Sequence, residues 1–360
     1  MEYQSKIKRL IKTSKRVILD CSLENGAIVA ANSTKPYYPK EAKNYFYVWP
    51  RDASFTCIAA DVLGINDIQE KFFGWLVERA EGWKETGLFY ENYCPNGLQA
   101  LNHFQPDQTA MVLLAVWHHF KDNKKGAEKY KRLVVNSATG ICKKWNKGYF
   151  NLVTNDLWEE RLTFPDLKEN FSYSLAACIK GLECANQLFP NKKYIDAANS
   201  INKVLLRAAS ENGYFFRSFG DINDKRIDAG LLGAIWPFEI VGPRDLLAKN
   251  TVKKIERTLV KNFGVYRYEH DEYDGWMYRT LHRKKGAGFW TLLNFWMSIV
   301  LCKMGKRKEA LKYYNKVVRS IKDDEFIPEQ IFDNNIQKSV SPLCWSHAMF
   351  VLASKELGYI

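Results

Sequence analysis

The chain has 360 residues, of which 46% are hydrophobic and 26% are charged, and this balance excludes an intrinsically disordered protein. Its net charge of +13 would suit a nucleic-acid or anionic-surface partner. The basic residues, however, are scattered over predicted helices, and no finger, RNP or basic-region motif accompanies them. We therefore interpret them as solvated outer faces and predict no nucleic-acid partner.

The eight cysteines and the N-terminus indicate the compartment. No cysteines form a CxxC motif, and none is paired with a histidine at zinc spacing. Several lie in apolar helical runs, where we expect free, buried thiols of a reducing compartment. The first twenty residues are charged and lack the apolar region of a signal peptide, and no run of about 18 apolar residues suggests a membrane span. The sequence predicts a soluble, cytoplasmic protein with no membrane partner.

Apolar helical runs alternate with amphipathic ones along the chain. After an amphipathic N-terminal helix, the run from Ala53 to Leu63 is apolar enough to be buried nearly all round, and Gly64 ends it. An amphipathic helix follows at about 66–81. The alternation then recurs as apolar and amphipathic runs at about 106–120 and 124–145, 170–188 and 191–209, 226–236 and 243–262, 286–304 and 307–321, and finally 342–356.

If the N-terminal helix pairs with the C-terminal one, this alternation gives six pairs. No strand alternation of any length competes with it. A ring of six inner and six outer helices would bury the apolar helices in the middle. The polar and aromatic loops all precede inner helices, so they would gather at one end of the ring, around a pocket.

These loops carry similar side chains. Together they supply Trp, Tyr, Arg, Asp and Glu, and lie at 45–52, 105–107, 155–160, 226–228, 266–273 and 329–330. Aromatic faces stack on sugar rings, and charged or amide groups bind the hydroxyls, so the set suits a carbohydrate pocket. Each residue also has an ordinary structural explanation: Arg51 and Asp52 as a helix-start ion pair, or Asp107 as first-turn charge. Because these residue types recur in the loop before each successive inner helix, they favour one shared site.

The most informative loop contains Trp158, Glu159 and Glu160, in a stretch broken by Asn, Thr and Pro. A carboxyl group against an aromatic ring is desolvated, which raises its pKa. Such a group can hold a proton near neutral pH and give it away. Taken alone, the stretch is also explained by a helix-capping acidic pair beside a buried tryptophan.

Several motifs carry a resemblance to a known family. The strongest are YFYVWPRDA at 45–53, NDLWEE at 155–160, and PEQ at 328–330 followed by PLCWSHA at 342–348. QPDQTAMVL at 105–113 and YRYEHDEY at 266–273 also fit, and Gly288-Phe289-Trp290 is similar to the family's Gly-Pro-Trp, with Phe for Pro. In this order, over essentially the whole chain, they resemble glycoside hydrolase family 15, the family of glucoamylases, glucodextranases and some trehalases.

The resemblance implies an all-α (α/α)6 barrel and inverting exo-hydrolysis of α-glucosidic bonds from the non-reducing end. It matches Glu159 to the general acid and Glu329 to the general base. Such a pair stands about 6.5–9.5 Å apart. We expect Glu159 to lie against Trp158 or similar apolar surface with a raised pKa, and Glu329 to have more polar surroundings. No metal or organic cofactor is implied.

The resemblance also implies roles in substrate binding. Arg51 and Asp52 match the pair that grips the hydroxyls of the terminal sugar. The aromatic residues of that subsite are Tyr45 and Trp49. The leaving-group side is held by Glu160 and Arg267. Further pocket residues with less defined roles are Asp107, Trp158, Tyr268 and Trp290.

The chain departs from the family in its extent. Many prokaryotic members carry an N-terminal β-sandwich, whereas we expect one barrel domain over residues 1–360, with no sandwich and no starch-binding module. The short loops favour a small soluble glucoside over bulky starch, and the uncovered barrel surface would be available for a partner or for self-association. Trehalose or an isomaltose-type glucoside is an alternative substrate. A non-catalytic sugar sensor is an alternative class, against which the presence of both glutamates speaks.

Overall fold

Helices make up most of the computed structural model, which describes residues 2–275, 286–322, 326–334 and 337–360. Parts of the loops before the last two predicted inner helices lie outside these residues. In chain order the α-helices are α1 (Glu2–Cys21), α2 (Pro50–Val62), α3 (Ile68–Arg79), α4 (Trp83–Thr86), α5 (Pro106–Phe120), α6 (Lys124–Ala127), α7 (Lys131–Lys144), α8 (Ser172–Leu188), α9 (Lys192–Asn212), α10 (Leu246–Leu259), α11 (Thr291–Lys303), α12 (Arg307–Ser320) and α13 (Cys344–Glu356). Short 3₁₀ helices occur at Glu128–Tyr130, Pro165–Leu167 and Ala229–Ala234.

Six buried elements form a closed inner ring. In order around the ring they are α2, α5, α8, the 3₁₀ helix Ala229–Ala234, α11 and α13, which returns to contact α2. In α11 every residue from Thr291 to Leu301 is buried. Such a helix is stable only inside a core, because it has no polar face to present to water.

An outer layer of amphipathic helices covers this ring. α1 packs on α13, α3 on α2, α7 on α5 and α8, α9 on α8, α10 on the 3₁₀ helix, and α12 on α11. In α9 the buried residues fall three or four apart, at Tyr194, Ala198, Ile201, Leu205 and Ala209, which gives one apolar stripe. The ring of six inner and six outer elements is an (α/α)6 barrel, as the sequence predicts.

The fourth inner element differs from the prediction. The sequence predicts an apolar helix at about 226–236, but the chain forms only the 3₁₀ helix Ala229–Ala234. Gly230 and Gly233 weaken an α-helix there. They are also needed for close packing, because a Cβ would lie 2.6 Å from Leu157 Cδ2 in the first case and 2.8 Å from Phe238 Cε2 in the second.

Short strands at the loop end of the barrel were not predicted. They are β1 (Tyr90–Tyr93), β2 (Gln99–Phe104), β3 (Trp145–Asn146), β4 (Tyr149–Phe150), β5 (Thr154–Asn155), β6 (Leu162–Thr163), β7 (Asn170–Phe171), β8 (Ser218–Phe219), β9 (Val260–Lys261), β10 (Gly264–Val265), β11 (Phe289–Trp290) and β12 (Gln330–Ile331). β1, β2, β5 and β6 form one sheet in that order, and the others pair as two-stranded ribbons. Most have two residues, too few for a detectable alternation.

The described helices and cysteines bear on the environment of the chain. None of the helices in the described residues combines the length and the apolar character that crossing a membrane requires. All eight cysteines are free thiols, and five of them are buried.

A half-buried carboxylate, that of Asp61, anchors the end of α2 that lies far from the loops. Asp61 accepts hydrogen bonds from His118 Nδ1 at 3.0 Å, His119 Nδ1 at 2.7 Å and Gln69 Nε2 at 2.7 Å. Burial would raise the pKa of Asp61, but the hydrogen bonds from the two histidines outweigh it and the pKa is lowered. The ionised carboxylate therefore stabilises the folded state.

Replacing Asp61 with asparagine is expected to lower the free energy of unfolding by about 1–3 kcal/mol at pH 7, because an amide cannot accept from all three donors. Since the folded pKa is depressed, this contribution is complete above the ordinary aspartate pKa of about 4 and is lost as the pH falls below it. Urea unfolding at pH 7 and at pH 3 measures both effects. The control is Asp67→Asn. Asp67 is exposed and its side chain makes no capping hydrogen bond to α3, so this change should leave the free energy of unfolding nearly unchanged. If Asp61→Asn leaves the free energy of unfolding unchanged at pH 7, or lowers it equally at pH 3, the ionised Asp61 carboxylate does not stabilise the fold as described.

Candidate active site

A cavity of about 310 Å³ opens at the end of the barrel where the inner helices begin. The predicted site residues that line it are Tyr45, Trp49, Arg51, Asp52, Trp158, Glu159, Glu160, Arg267, Trp290 and Glu329. They come from four separate segments, each of which leads into an inner helix, so only the closed ring of inner helices brings them together. Asp107 and Tyr268 do not line the cavity but support residues that do. Among the described residues, no group of three or more His, Cys, Asp or Glu is arranged to hold a metal ion.

The loop that carries Glu159 is a tight turn between β5 and β6. Asp156 organises it, because its Oδ1 accepts the backbone N–H of Glu160 at 2.9 Å and of Arg161 at 3.2 Å. Arg217 donates to the other oxygen of Asp156. Glu159 has a φ of 62°, in the left-handed region. A non-glycine residue there is strained by about 1–3 kcal/mol and persists only where its surroundings enforce it, often at a functional site.

The Glu159 carboxyl is enclosed on one side and open to the cavity on the other. Trp49 Nε1 donates to its Oε1 at 2.6 Å, and Arg51 Nη2 lies 3.8 Å from the same oxygen. Burial, and then repulsion from the carboxylate of Glu91, raises the pKa of Glu159 well above its ordinary value, although Arg51 opposes the shift. The sequence predicts Trp158 or similar apolar surface beside this group. Trp49 donates to it instead, whereas the N–H of Trp158 donates to Asp228 at 2.8 Å.

Glu329 is the second carboxyl group on the cavity, and it is almost fully enclosed by the protein. It is 4% exposed, and Tyr45 donates to its Oε1 at 3.3 Å. Burial raises the pKa of Glu329 to about 7, although Arg267 and the hydrogen bond from Tyr45 lower it. The sequence predicts that Glu329 has the more polar surroundings of the two carboxyl groups, and the polar groups that act on it are the Tyr45 hydroxyl and the charge of Arg267.

Three buried polar atoms around the cavity have no hydrogen-bond partner within the described part of the chain: Glu329 Oε2, Trp290 Nε1 and Trp345 Nε1. Buried polar atoms are rarely left unpaired in folded proteins. One acceptor and two donors at one cavity fit a ligand that carries hydroxyl groups.

Arg51 forms the floor of the cavity, and hydrogen bonds to neighbouring side chains fix its guanidinium group. Its Nε donates to Asp52 at 3.0 Å, and its Nη1 donates to Asp107 at 3.1 Å and to Gln105 at 3.2 Å. The guanidinium also lies over the Trp345 ring, 5.0 Å from its centre. Asp107 is fully buried, so its place in the structure is under Arg51 and not in the pocket lining. Burial raises the pKa of Asp52 to about 6, against the attraction of Arg51.

Arg267 forms one wall, inside a cage of aromatic rings. Its Nη2 donates to Glu160 at 2.7 Å, and its Nε and Nη2 both donate to Asp271. Its guanidinium carbon lies 4.8–5.4 Å from the ring centres of Trp158, Tyr268, Tyr273 and Trp290. Tyr268 donates its hydroxyl to Glu160, so it fixes a lining residue from outside the cavity.

Some lining residues were not among the predicted site residues. Tyr273 and Trp345 lie in the motifs YRYEHDEY and PLCWSHA, so the sequence held a signal for both. Ala30 and Lys43 also line the cavity but belong to no motif, and only the folded chain reveals them.

The carboxyl groups of Glu159 and Glu329 lie on one cavity between aromatic rings, at one end of an (α/α)6 barrel, and this arrangement suits the site of a glycoside hydrolase. The sequence model of glycosyl hydrolases family 15 matches residues 77–355. The chain belongs to this family, and the family that its motifs indicate is thereby confirmed.

Related proteins differ in length and activity. An uncharacterized glycosyl hydrolase of Methanocaldococcus jannaschii is 28% identical over 98% of this chain and 56% of its own length. An isomaltose glucohydrolase of Kribbella flavida is 21% identical over 92% of this chain and 89% of its own length. A trehalase of Mycobacterium tuberculosis is 23% identical over 81% of this chain and 46% of its own length. The chain thus spans about half the length of two of these relatives.

Solved structures share the fold. A wild-type glycosidase superposes with a TM-score of 0.81 at 20% identity and covers 100% of this chain and 99% of its own. A bacterial glucoamylase complexed with acarbose gives a TM-score of 0.73 at 20% identity, over 97% of this chain and 55% of its own.

Proposed function

We propose that the chain is an inverting, exo-acting α-glucoside hydrolase that releases β-glucose from the non-reducing end of α-glucans or small α-glucosides. The observation that carries this proposal is the placement of Glu159 and Glu329 on one cavity, each bonded to a different aromatic side chain. Two carboxyls with distinct surroundings are what general acid and general base catalysis require.

In this mechanism Glu159 protonates the glycosidic oxygen as the bond to C1 breaks. Glu329, as carboxylate, accepts a proton from the water that attacks C1 on the opposite face, so the configuration inverts. Arg51 and Asp52 bind hydroxyls of the terminal sugar. Glu160 and Arg267 hold the sugar on the leaving-group side, where the aromatic cage around Arg267 supplies faces for stacking.

The closed floor supports exo action. Arg51, Asp107 and Trp345 are 3%, 0% and 4% exposed, so the cavity ends at the core of the barrel. A chain end can enter such a pocket, whereas the middle of a polysaccharide cannot pass through it. The isomaltose glucohydrolase, which this chain matches over 89% of its length, supports small α-glucosides as substrates.

Glucose release from maltose, isomaltose, trehalose and maltooligosaccharides tests the proposal. We expect glucose from at least one of them, with maltooligosaccharides shortened one unit at a time. Sugar binding without turnover would instead favour the non-catalytic alternative, and internal cleavage products would contradict exo action. As part of this proposal we also infer a cytoplasmic enzyme, which the free cysteines support.

Replacing Glu160 with glutamine is expected to act mainly on substrate binding. The change weakens the hydrogen bond from Arg267 but leaves the acid and base in place. We expect KM to rise about 10–100-fold, the equivalent of one charge-assisted hydrogen bond, while kcat falls much less. Steady-state kinetics on the best substrate of the panel measure both constants. A kcat loss as large as that of Glu159→Gln would contradict the assigned role.

A further inference from the structure

Arg217 is a buried arginine that lies beside the active-site loops without lining the cavity. It precedes β8 and is 4% exposed. Its backbone carbonyl accepts the N–H of Ser172, the first residue of the inner helix α8, at 3.1 Å. The side chain therefore starts from a fixed point of the barrel. A buried charge is costly unless it is paired, so the partners of this guanidinium group indicate its role.

Three side chains surround the guanidinium group. Its Nη2 donates to the Oδ2 of Asp156, and its Nε lies 3.6 Å from the Oδ2 of Asp228. The guanidinium carbon lies 4.3 Å from the centre of the Tyr268 ring, within the range of a cation–π contact. Asp156 and Asp228 are 2% and 5% exposed. Arg217 thus pairs two carboxyl groups that have little contact with water.

The two aspartates hold both sequence neighbours of Glu159. The Oδ1 of Asp156 accepts the backbone N–H of Glu160 at 2.9 Å. The Oδ2 of Asp228 accepts the indole N–H of Trp158 at 2.8 Å. The residue before Glu159 and the residue after it are therefore each attached to a carboxyl group that the same cation pairs.

The tyrosine extends this support to the leaving-group side of the cavity. Tyr268 donates its hydroxyl to the carboxyl group of Glu160. Its ring lies between two guanidinium groups, with that of Arg217 at 4.3 Å and that of Arg267 at 5.1 Å from the ring centre. The contacts of Arg217 thus reach Glu159 through the residues that flank it.

We propose that Arg217 is a positioning residue for the general acid, an inference that rests on the proposed role of Glu159. The φ of Glu159 is 62°, and a non-glycine residue keeps such a value only where its surroundings enforce it. Arg217 enforces it by fixing Asp156 and Asp228. The carboxyl group of Glu159 is thereby held in one place on the cavity, and transfer of its proton to the glycosidic oxygen requires such placement within hydrogen-bond reach.

Arg217→Lys tests this role, because lysine keeps the charge but has no planar fork to reach Asp156 and Asp228 together. The substrates are phenyl α-glucoside, whose leaving group needs protonation most, 4-nitrophenyl α-glucoside, and α-glucosyl fluoride, whose leaving group departs with little help from an acid. We expect kcat/KM to fall about 10–100-fold on the phenyl glucoside and less than about threefold on the fluoride, with the 4-nitrophenyl glucoside between them.

The comparison of substrates separates positioning from two other effects. Both aryl groups occupy the same part of the cavity, so weaker binding there would lower both rates alike, whereas a displaced acid affects the phenyl glucoside more. Loss of folded protein cancels in the ratio of two rates measured on one preparation. Arg217→Gln, which also removes the charge, should change the ratio further in the same direction.

The matched control is Arg132→Lys. Arg132 is an exposed arginine on α7, and its guanidinium carbon lies 5.9 Å from the centre of the Trp83 ring, outside the cavity lining. Its ratio of rates should equal that of the wild type. Glu159→Gln is the reference for complete loss of the acid and should show the largest change in the ratio.

If Arg217→Lys and Arg217→Gln both keep the wild-type ratio, whatever their activity or stability, the proposal is overturned, since Arg217 would then have a merely structural role. Failure of the proposed function looks different: the wild-type chain would cleave none of the three substrates, or Glu159→Gln would keep the wild-type ratio.

Discussion

Replacing either Glu159 or Glu329 with glutamine is expected to lower kcat on an α-glucoside by about 10²–10⁴-fold. General acid and general base steps each contribute about this much. Glutamine keeps the shape of the side chain and can still bond Trp49 or Tyr45, but it can neither donate the acid proton nor accept one from water. Steady-state kinetics and thermal unfolding of each variant measure the effect, and we expect the folded state to remain intact.

The matched control is Glu85→Gln, which removes the same charge from an exposed position on α4 and should leave kcat unchanged. A kcat within a few-fold of the wild-type value in either active-site variant would exclude that residue as acid or base. Loss of activity together with a collapsed unfolding transition would contradict the expectation that these two side chains act in catalysis and not in folding.

Replacing Arg51 with methionine is expected to lower the free energy of unfolding by about 3–5 kcal/mol and to abolish activity. Arg51 and Asp107 are both buried, and their salt bridge measures 3.1 Å. Removing one partner of a buried pair leaves an uncompensated charge, which is strongly destabilising. The loss should be measured by urea unfolding at pH 7 or above, because the pKa of Asp52 is raised by burial to about 6 and protonation would conceal part of the effect.

Arg51→Lys is the informative comparison, since it keeps the charge but cannot hold Asp52 and Asp107 with one planar fork. Its stability should fall between those of Arg51→Met and the wild type. In Asp107→Asn, the further change Arg51→Met should cost less than it does in the wild type, because one of the stranded carboxylates is gone. An Arg51→Met protein within about 1 kcal/mol of wild-type stability would contradict the role of Arg51 as an electrostatic anchor of the barrel.

The sequence was sufficient to predict the barrel because inner and outer helices differ in composition. An inner helix such as α11 has no polar face, whereas α9 has one apolar stripe, and this difference is visible without coordinates. The 3₁₀ element at Ala229–Ala234 was not predictable in the same way. Its form depends on how closely Gly230 and Gly233 approach side chains from distant parts of the chain.

The site was predictable to the extent that its residues lie in motifs. Arg51, Glu159 and Glu329 are adjacent to tryptophan, proline or acidic neighbours that mark them. Their surroundings were not predictable, since Tyr45, which donates to Glu329, lies 284 residues away in the sequence.

The measurement that tests the central claim most directly is proton NMR of the first sugar released by the wild-type chain. The substrate is an α-glucoside with a non-sugar leaving group, so that every glucose released comes from the cleaved terminal residue, and spectra are recorded before mutarotation equilibrates the anomers. We predict that the signal of β-glucose appears first and that α-glucose grows only as mutarotation proceeds. If α-glucose appears first, Glu159 and Glu329 are not an inverting acid and base, and the mechanism proposed for this cavity is wrong.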